Sequence, residues 1–422
     1  MNVFPVFPST AAQLRNVRRV CAIVAVMAMA TACVEPPPPP PRPAPVAPLP
    51  APLKQTVPTH PLTGEQPGFL KLGNMADGRP PVRVGILLPF TNGSAATRTL
   101  AASMMKSAQL ALFDAHNPDI LLITADEGST PQQAAAGARS LIAEGAEIIL
   151  GPLFAQSATA AAPVARDHGI PIISFSTDST VAGDGVYLLS FQPGDEVRRI
   201  VSYAASQGHM SFAALVPDST YGARVAQAFA ADVKAAGGRV TDVEKFGSSG
   251  AGMASAAKAV ANSKPDAILI AQGGNLLREI GPTLAGDGAG NQQVQYLGTG
   301  LWDDPSIAKE PMLAGGWFSA PAHESHRQFE ARFRAQFGST PPQLATLAYD
   351  AVSLVARISG GQPYHRFTPA VLTDPNGFAG VDGIFRFNPD GSSQRGLAVL
   401  SVQPDGFHIV SHAPATFQGT LD

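Results

Sequence analysis

His323-Glu324-Ser325-His326 is the spacing in this chain that comes nearest to metal chemistry. Two imidazoles three residues apart share one helix face, which is how a helix gathers metal ligands. The zinc-hydrolase pattern, however, sets its histidines four apart, and no third ligand follows nearby here. The segment therefore reads as a solvated helix end. Gly286-Asp287-Gly288-Ala289-Gly290 is rich in glycine, but no strand leads directly into it, so it reads as a polar loop and not a dinucleotide cradle. The chain contains neither a Gly-x-Ser-x-Gly elbow nor a P-loop signature. His168 and His209 stand beside glycines that end helices, where a cation suits the helix dipole. Both cysteines, Cys21 and Cys33, precede residue 34, which leaves the remainder without thiolate, disulfide or cysteine metal chemistry. The expectation is a protein that binds without catalysing, and without a cofactor.

What positions that binding begins with the leading segment. Arg15, Arg18 and Arg19 precede an apolar run, Val20 to Ala30, too short to span a bilayer, so residues 1–32 read as a secretory signal. Arg18-Arg19 lies between Val17 and Val20, flanks that do not fit twin-arginine export. Ala32 followed by Cys33 is similar to the lipobox of bacterial lipoproteins, with Ala30 where that group most often has leucine. The resemblance implies acylation of the Cys33 sulfur, each buried methylene adding ~0.8 kcal/mol of anchoring. Val34 after the cysteine implies release to the outer membrane. Ordinary cleavage at an A-x-A-like site is the alternative. Residues 33–80, with six consecutive prolines from Pro36 to Pro41, cannot bury enough apolar surface to offset ordering and read as a disordered or polyproline II tether. At ~3.1 Å per residue it reaches on the order of 140 Å. A proline-rich ligand for an aromatic groove is the competing reading.

Past the tether, short apolar runs alternate with amphipathic stretches. Val82 to Pro89, Asp119 to Ala125, Glu147 to Pro152 and Pro171 to Phe175 read as buried strands. Between them lie helices from Ala95, capped by Ser94, from Pro131 to Gly145, and up to Gly169. A second series alternates strands at 211–216, 239–246, 267–271 and 295–298 with helices at 221–237, 253–263 and 275–285. Two further helices, 324–337 and 344–359, precede strands at 383–387 and 396–402, with a turn at Asn388 to Gly391. Repeated βα units with Val/Ile/Leu strands predict parallel sheets covered on both faces, hence an α/β protein with doubly wound lobes. The formal net charge of −3, which becomes more negative without the leading arginines, offers no footprint for nucleic acid.

Val84 to Pro89, Ala138 to Ala146, Ile149-Leu-Gly-Pro-Leu153, His168 to Ser174 and Asp218-Ser-Thr-Tyr-Gly222 together resemble the type I periplasmic binding proteins, the leucine-binding-protein group. That resemblance covers residues 82–413. It implies two Rossmann-like lobes joined by three crossovers around a cleft that opens and closes by hinge motion. The expected division is 82–193 plus 321–372 for lobe 1, 194–320 plus 373–413 for lobe 2, and a tail at 414–422. Members hold a ligand carboxylate near the helix after the third strand and in the loop after the fourth. This carries over to Phe154, Gln156 and Ser157 and to Ser174, Ser176, Thr177 and Asp178. Asp178 is the departure, because a carboxylate there repels a bound carboxylate. From the other lobe Tyr221 could close over a ligand, and Gln272, Trp302 and Asp303 occupy loops that follow strands.

Two functions fit the resemblance. Loops Phe154 to Ser157 and Phe175 to Asp178, with the acylated cysteine and the tether, are similar to the penicillin-binding protein activators, lipoproteins that stimulate a peptidoglycan synthase. This chain lacks the large helical-repeat domain of the best-known member. The alternative is a solute receptor that delivers amino acids or related small molecules to an ABC permease. Either places the protein in the periplasm, with a membrane as its anchor.

Overall fold

The computed structural model describes residues 69–74, 80–247, 249–290 and 293–417. The expected signal segment, Cys33 and most of the tether lie outside them.

The first lobe is a six-stranded sheet. Its strands are β1 (Leu70–Lys71), β2 (Val82–Leu88), β3 (Ile120–Asp126), β4 (Ile148–Leu150), β5 (Ile172–Ser174) and β6 (Val186–Leu188), in the order β1-β3-β2-β4-β5-β6. All neighbours run parallel except β1, which lies antiparallel on the edge with Leu70 opposite Leu122. The expected tether thus ends early, because Phe69, Leu70 and Leu72 pack against the lobe. Helices α1 (Ala95–Ala115), α2 (Pro131–Ala143) and α3 (Ala155–Arg166) cross between strands. Ser94 caps α1 by accepting from the Thr97 N–H, and Thr130 forms a capping box with Gln133 ahead of Pro131 at the first position of α2.

Chain direction then changes lobe. Helix α4 (Pro193–Ser206) leads into β7 (Ser211–Pro217), α5 (Thr220–Ala235), β8 (Arg239–Phe246), α6 (Met253–Asn262), β9 (Ala267–Ile270), α7 (Gly274–Gly286), β10 (Gln295–Gly298) and β11 (Trp317–Ala320). Alternate residues of one strand face opposite layers: Ala213 and Leu215 pack with α6 and α7, while Phe212, Ala214 and Val216 pack with α4 and α5. That two-sided burial is what a continuous apolar strand requires.

Past Ala320 the chain returns to the first lobe as α8 (His323–Phe337) and α9 (Ala345–Ile358). Ala348, Val352 and Val355 of α9 share a core with Met104, Ala108 and Ala111 of α1. The next hairpin, β12 (Phe385–Phe387) and β13 (Ser393–Arg395), corrects the expected division at residue 373. Phe378, Phe385 and Phe387 bury themselves with Val84 and Ile86, and the Leu188 N–H donates to Gly391 O at 2.9 Å, so this segment belongs to lobe 1. Gly391 has φ +81°, and a Cβ there would stand 2.2 Å from Val186 O. Only after Arg395 does the chain cross again, to β14 (Ala398–Gln403) and β15 (Gly406–Ser411), which close the second sheet in the order β15-β14-β11-β10-β9-β7-β8. Connections at 189–192, 320–322 and 396–397 are thus the three crossovers. Residues 414–417 are not a free tail, because Phe417 is buried beneath the Arg386 guanidinium, 4.6 Å from its ring centre. Among the described residues no helix is long and apolar enough to cross a membrane.

Candidate functional site

Carboxyl ends of parallel strands open a crevice because their connecting helices diverge there, and in two facing lobes the crevices meet. Here they enclose a cleft of about 580 Å³ walled by both lobes. Phe154, Ser176, Thr177 and Asp178 come from the first lobe, Glu196, Tyr221, Arg224, Gly300, Leu301 and Asp303 from the second.

The sequence-predicted residues divide. Phe154, Ser176, Thr177, Asp178, Tyr221 and Asp303 line the cleft. Gln156 is exposed on α3 and faces elsewhere. Ser157 and Ser174 are buried behind the wall: Ser157 hydrogen-bonds Glu127, and the Ser174 hydroxyl donates to Pro152 O at 3.0 Å. Gln272 lies outside the lining, its amide turned to Gly273 O. Trp302 is fully buried in the second-lobe core and donates Nε1–H to Ile270 O at 3.1 Å. An indole so large gains more from burial than a cleft edge could give it.

Electrostatics are dominated by carboxylates. Asp178 pairs with Arg224 of the opposite lobe at 3.0 Å, and Arg224 also donates to Thr177 O at 2.6 Å. The Thr180 N–H, then the Thr180 hydroxyl and Arg224, hold Asp178 below the usual carboxylate range. Asp195 is pushed up to about 6 by burial, against the opposing Arg198 and the Arg395 N–H. Glu196 is pushed up to about 7 by burial, with Asp195 and Asp303 adding repulsion, while its Oε2 accepts from the Gly300 N–H at 3.0 Å. Burial raises the Tyr221 phenol also, keeping it neutral, and its hydroxyl lies 2.8 Å from Thr299 Oγ1.

Three carboxylates escaped the sequence reading, Glu127, Asp195 and Glu196. Glu127, just past β3, is fully buried and accepts from the N–H groups of Leu153 at 2.8 Å and Phe154 at 3.0 Å. Burial raises its pKa, opposed by those donors and by Ser157. It occupies part of the polar surface that the resemblance assigned to a ligand carboxylate. The signal available was its place at the carboxyl end of a parallel strand. Glu196 lies on α4, which the sequence reading left unassigned, although Pro193 followed by Asp195 and Glu196 reads as an N-terminal turn.

Behind the second crossover a separate cavity of about 690 Å³ contains His323 and His326. Both are half-buried and paired, while Glu324 and Ser325 between them are exposed: His323 Nε2 is 2.8 Å from Asp303 Oδ1, and His326 Nδ1 is 2.8 Å from Asp382 Oδ1. Each carboxylate bond raises its histidine's pKa. Among the described residues no group of three His, Cys, Asp or Glu could hold a metal ion.

Comparison with known proteins agrees with this architecture. Solved structures with the same fold include a Rhodospirillum rubrum protein assigned to a branched-chain amino acid ABC transporter, 20% identical, with 78% of this chain and 100% of that one covered at a TM-score of 0.70. The periplasmic ligand-binding protein of a branched-chain amino acid ABC transporter from Burkholderia xenovorans is 18% identical, with 80% and 97% covered and a TM-score of 0.63. A solute-binding protein from Rhodopseudomonas palustris, solved with 3,4-dihydroxybenzoic acid, is 19% identical, with 78% and 96% covered and a TM-score of 0.55. A curated relative, the uncharacterized protein RP748 of Rickettsia prowazekii, is 26% identical over 146 residues, which span 35% of this chain and 38% of that protein. The Periplasmic binding protein family matches residues 81–406. With that match across both lobes and all three crossovers, the chain belongs to the periplasmic binding protein family.

Proposed function

We propose that this protein is a non-catalytic periplasmic receptor whose two lobes close over a small solute for delivery to an ABC permease. The observation that carries the reading is the cleft of about 580 Å³, with Phe154 and Thr177 on one wall and Tyr221 and Glu196 on the other. A ligand touching both walls has higher affinity for the closed state, so binding shifts the population toward closure. The transporter solute-binding proteins that share the fold support the same reading. In this account Cys33 carries the lipid that anchors the chain, and Cys33→Ala releases the protein from the membrane fraction. The test of the receptor reading is calorimetry of the purified full chain against single solutes. Saturable binding at micromolar concentrations or tighter, weakened about tenfold or more in Tyr221→Ala, supports it.

One observation favours a second reading, that of a penicillin-binding protein activator. Arg224 bridges to Asp178 and Thr177 O across the cleft, contacts between the lobes that need no ligand. A fixed closed shape suits a protein partner. Specific recovery of a peptidoglycan synthase on the full chain, with no solute bound in calorimetry, is the outcome that would establish it over the receptor.

A further inference from the structure

Charge in the cleft is unbalanced at one residue. Asp178 pairs with Arg224, Asp195 with Arg198, and Asp303 with His323. Of the two guanidinium groups of the lining, Arg224 is paired with Asp178, whereas Arg395 lies 3.6 Å from Asp350 with its Nε and Nη2 buried and without a hydrogen-bond partner, closed off from a solute by their burial. Glu196 has only the Gly300 N–H on Oε2, and neither a cation nor a donor to Oε1 among the described residues. Beside it in the lining stand Tyr221, whose phenol is neutral, and the exposed apolar side chains Phe154 and Leu301. A positive charge on an apolar body answers such a surface twice, once at the carboxylate and once at the aromatic faces.

An anion meets the opposite conditions. Where the first lobe would offer it backbone N–H groups, Glu127 already takes those of Leu153 and Phe154 together with the Ser157 hydroxyl. On the second wall Asp195 and Asp303 repel the Glu196 carboxylate and occupy the nearby cations Arg198 and His323, which leaves those cations unavailable to an anion.

Resting on the receptor reading above, we propose that the solute is a primary amine with an apolar body and no carboxylate, its ammonium paired with Glu196 Oε1 and its body against Tyr221 and Phe154. Glu196 is then the residue that determines specificity. Since burial holds this carboxyl near its midpoint at pH 7, pairing with an ammonium expels the proton. Binding therefore strengthens from pH 6 to pH 8 and releases about half a proton at pH 7. The groups that face Glu196 are Asp195 on its own helix, Tyr221 on α5 and Asp303 after β10.

The experiment is calorimetry of the full chain in non-ionic detergent with three probes of one shape: phenethylamine, 3-phenylpropionate and phenylalanine. The expected result is that phenethylamine binds at least about tenfold more tightly than the other two, with the stated proton release measured in buffers of different ionisation enthalpy. Glu196→Gln should weaken it about 30-fold or more, as when one partner of a buried charge pair is removed. Melting curves show whether that variant is folded, and proton release by the unaltered protein tests the pairing without any variant. Tighter binding of 3-phenylpropionate or phenylalanine overturns the amine inference and leaves the receptor reading standing. Phenethylamine binding without proton release overturns the role of Glu196. If none of the three binds, the amine inference falls, and if a wider set of neutral and anionic solutes also fails, the receptor reading falls with it.

Discussion

A carboxyl held protonated by its surroundings stabilises the fold only while both states are protonated. The folded pKa of Glu196, about 7, stands above the ordinary 4.5. Its contribution is therefore fully present below about pH 4.5 and is lost as pH rises through 7, on the order of 3 kcal/mol. Asp195, at about 6, acts in the same direction, and so do His323 and His326, whose raised values make their stabilisation fade above the ordinary histidine range. The melting temperature should accordingly fall between pH 5 and pH 8. Glu196→Gln should flatten part of that slope, as thermal melts at the two pH values would register. A slope unchanged by the substitution would mean that Glu196 ionises normally in the folded protein.

Among the elements, the β12–β13 hairpin shows how a late segment completes an early sheet. Phe385 and Phe387 point the same way from β12, two residues apart, and both enter the first-lobe core beside Tyr187, whose ring centre is 5.5 Å from that of Phe387. Phe387→Ala should cost about 3–5 kcal/mol of first-lobe stability. Urea unfolding followed by a probe in each lobe would check this, with the first-lobe transition expected to move to lower urea. A shift confined to the second lobe would contradict the placement of this hairpin. The hairpin also supplies Arg395, whose backbone N–H donates to Asp195 Oδ2 at 3.0 Å, tying the completed first lobe to the start of α4 and so to the wall that carries Glu196.

At the scale of the whole molecule, closure depends on few contacts. The Arg224–Asp178 pair is about one-third exposed on each side, which limits it to about 1 kcal/mol. Its loss in Arg224→Ala should shift the balance of open and closed forms about fivefold toward open. Small-angle scattering would register this as a larger radius of gyration, restored when solute is added. An unchanged radius would locate the closing force elsewhere, for instance at His323–Asp303, which links the first turn of α8 to the second lobe across the crossover. Because that pair involves a histidine and Arg224–Asp178 does not, the pH dependence of scattering would separate them.

The sequence by itself determined the βα alternation, since runs such as Val82 to Leu88 and Ile120 to Asp126 carry enough buried Val, Ile and Leu to become strands without help. Caps at Ser94 and Thr130 fixed helix starts for equally local reasons. Three short or polar elements were not legible. Strand β6 has three residues, β13 is Ser-Gln-Arg, and α4 begins in a cleft where its acids serve the site and dilute its apolar pattern. The same division holds within the site. Residues on loops after strands could be placed near a cleft from the family resemblance, as with Thr177, Asp178 and Tyr221. Whether such a side chain faces the cleft or the core depends on competing partners, so Trp302 went inward to the Ile270 carbonyl. Charge in the cleft was a tertiary outcome altogether. Asp178 meets its cation only when Arg224 arrives from the other lobe, and Glu196 has none among the described residues.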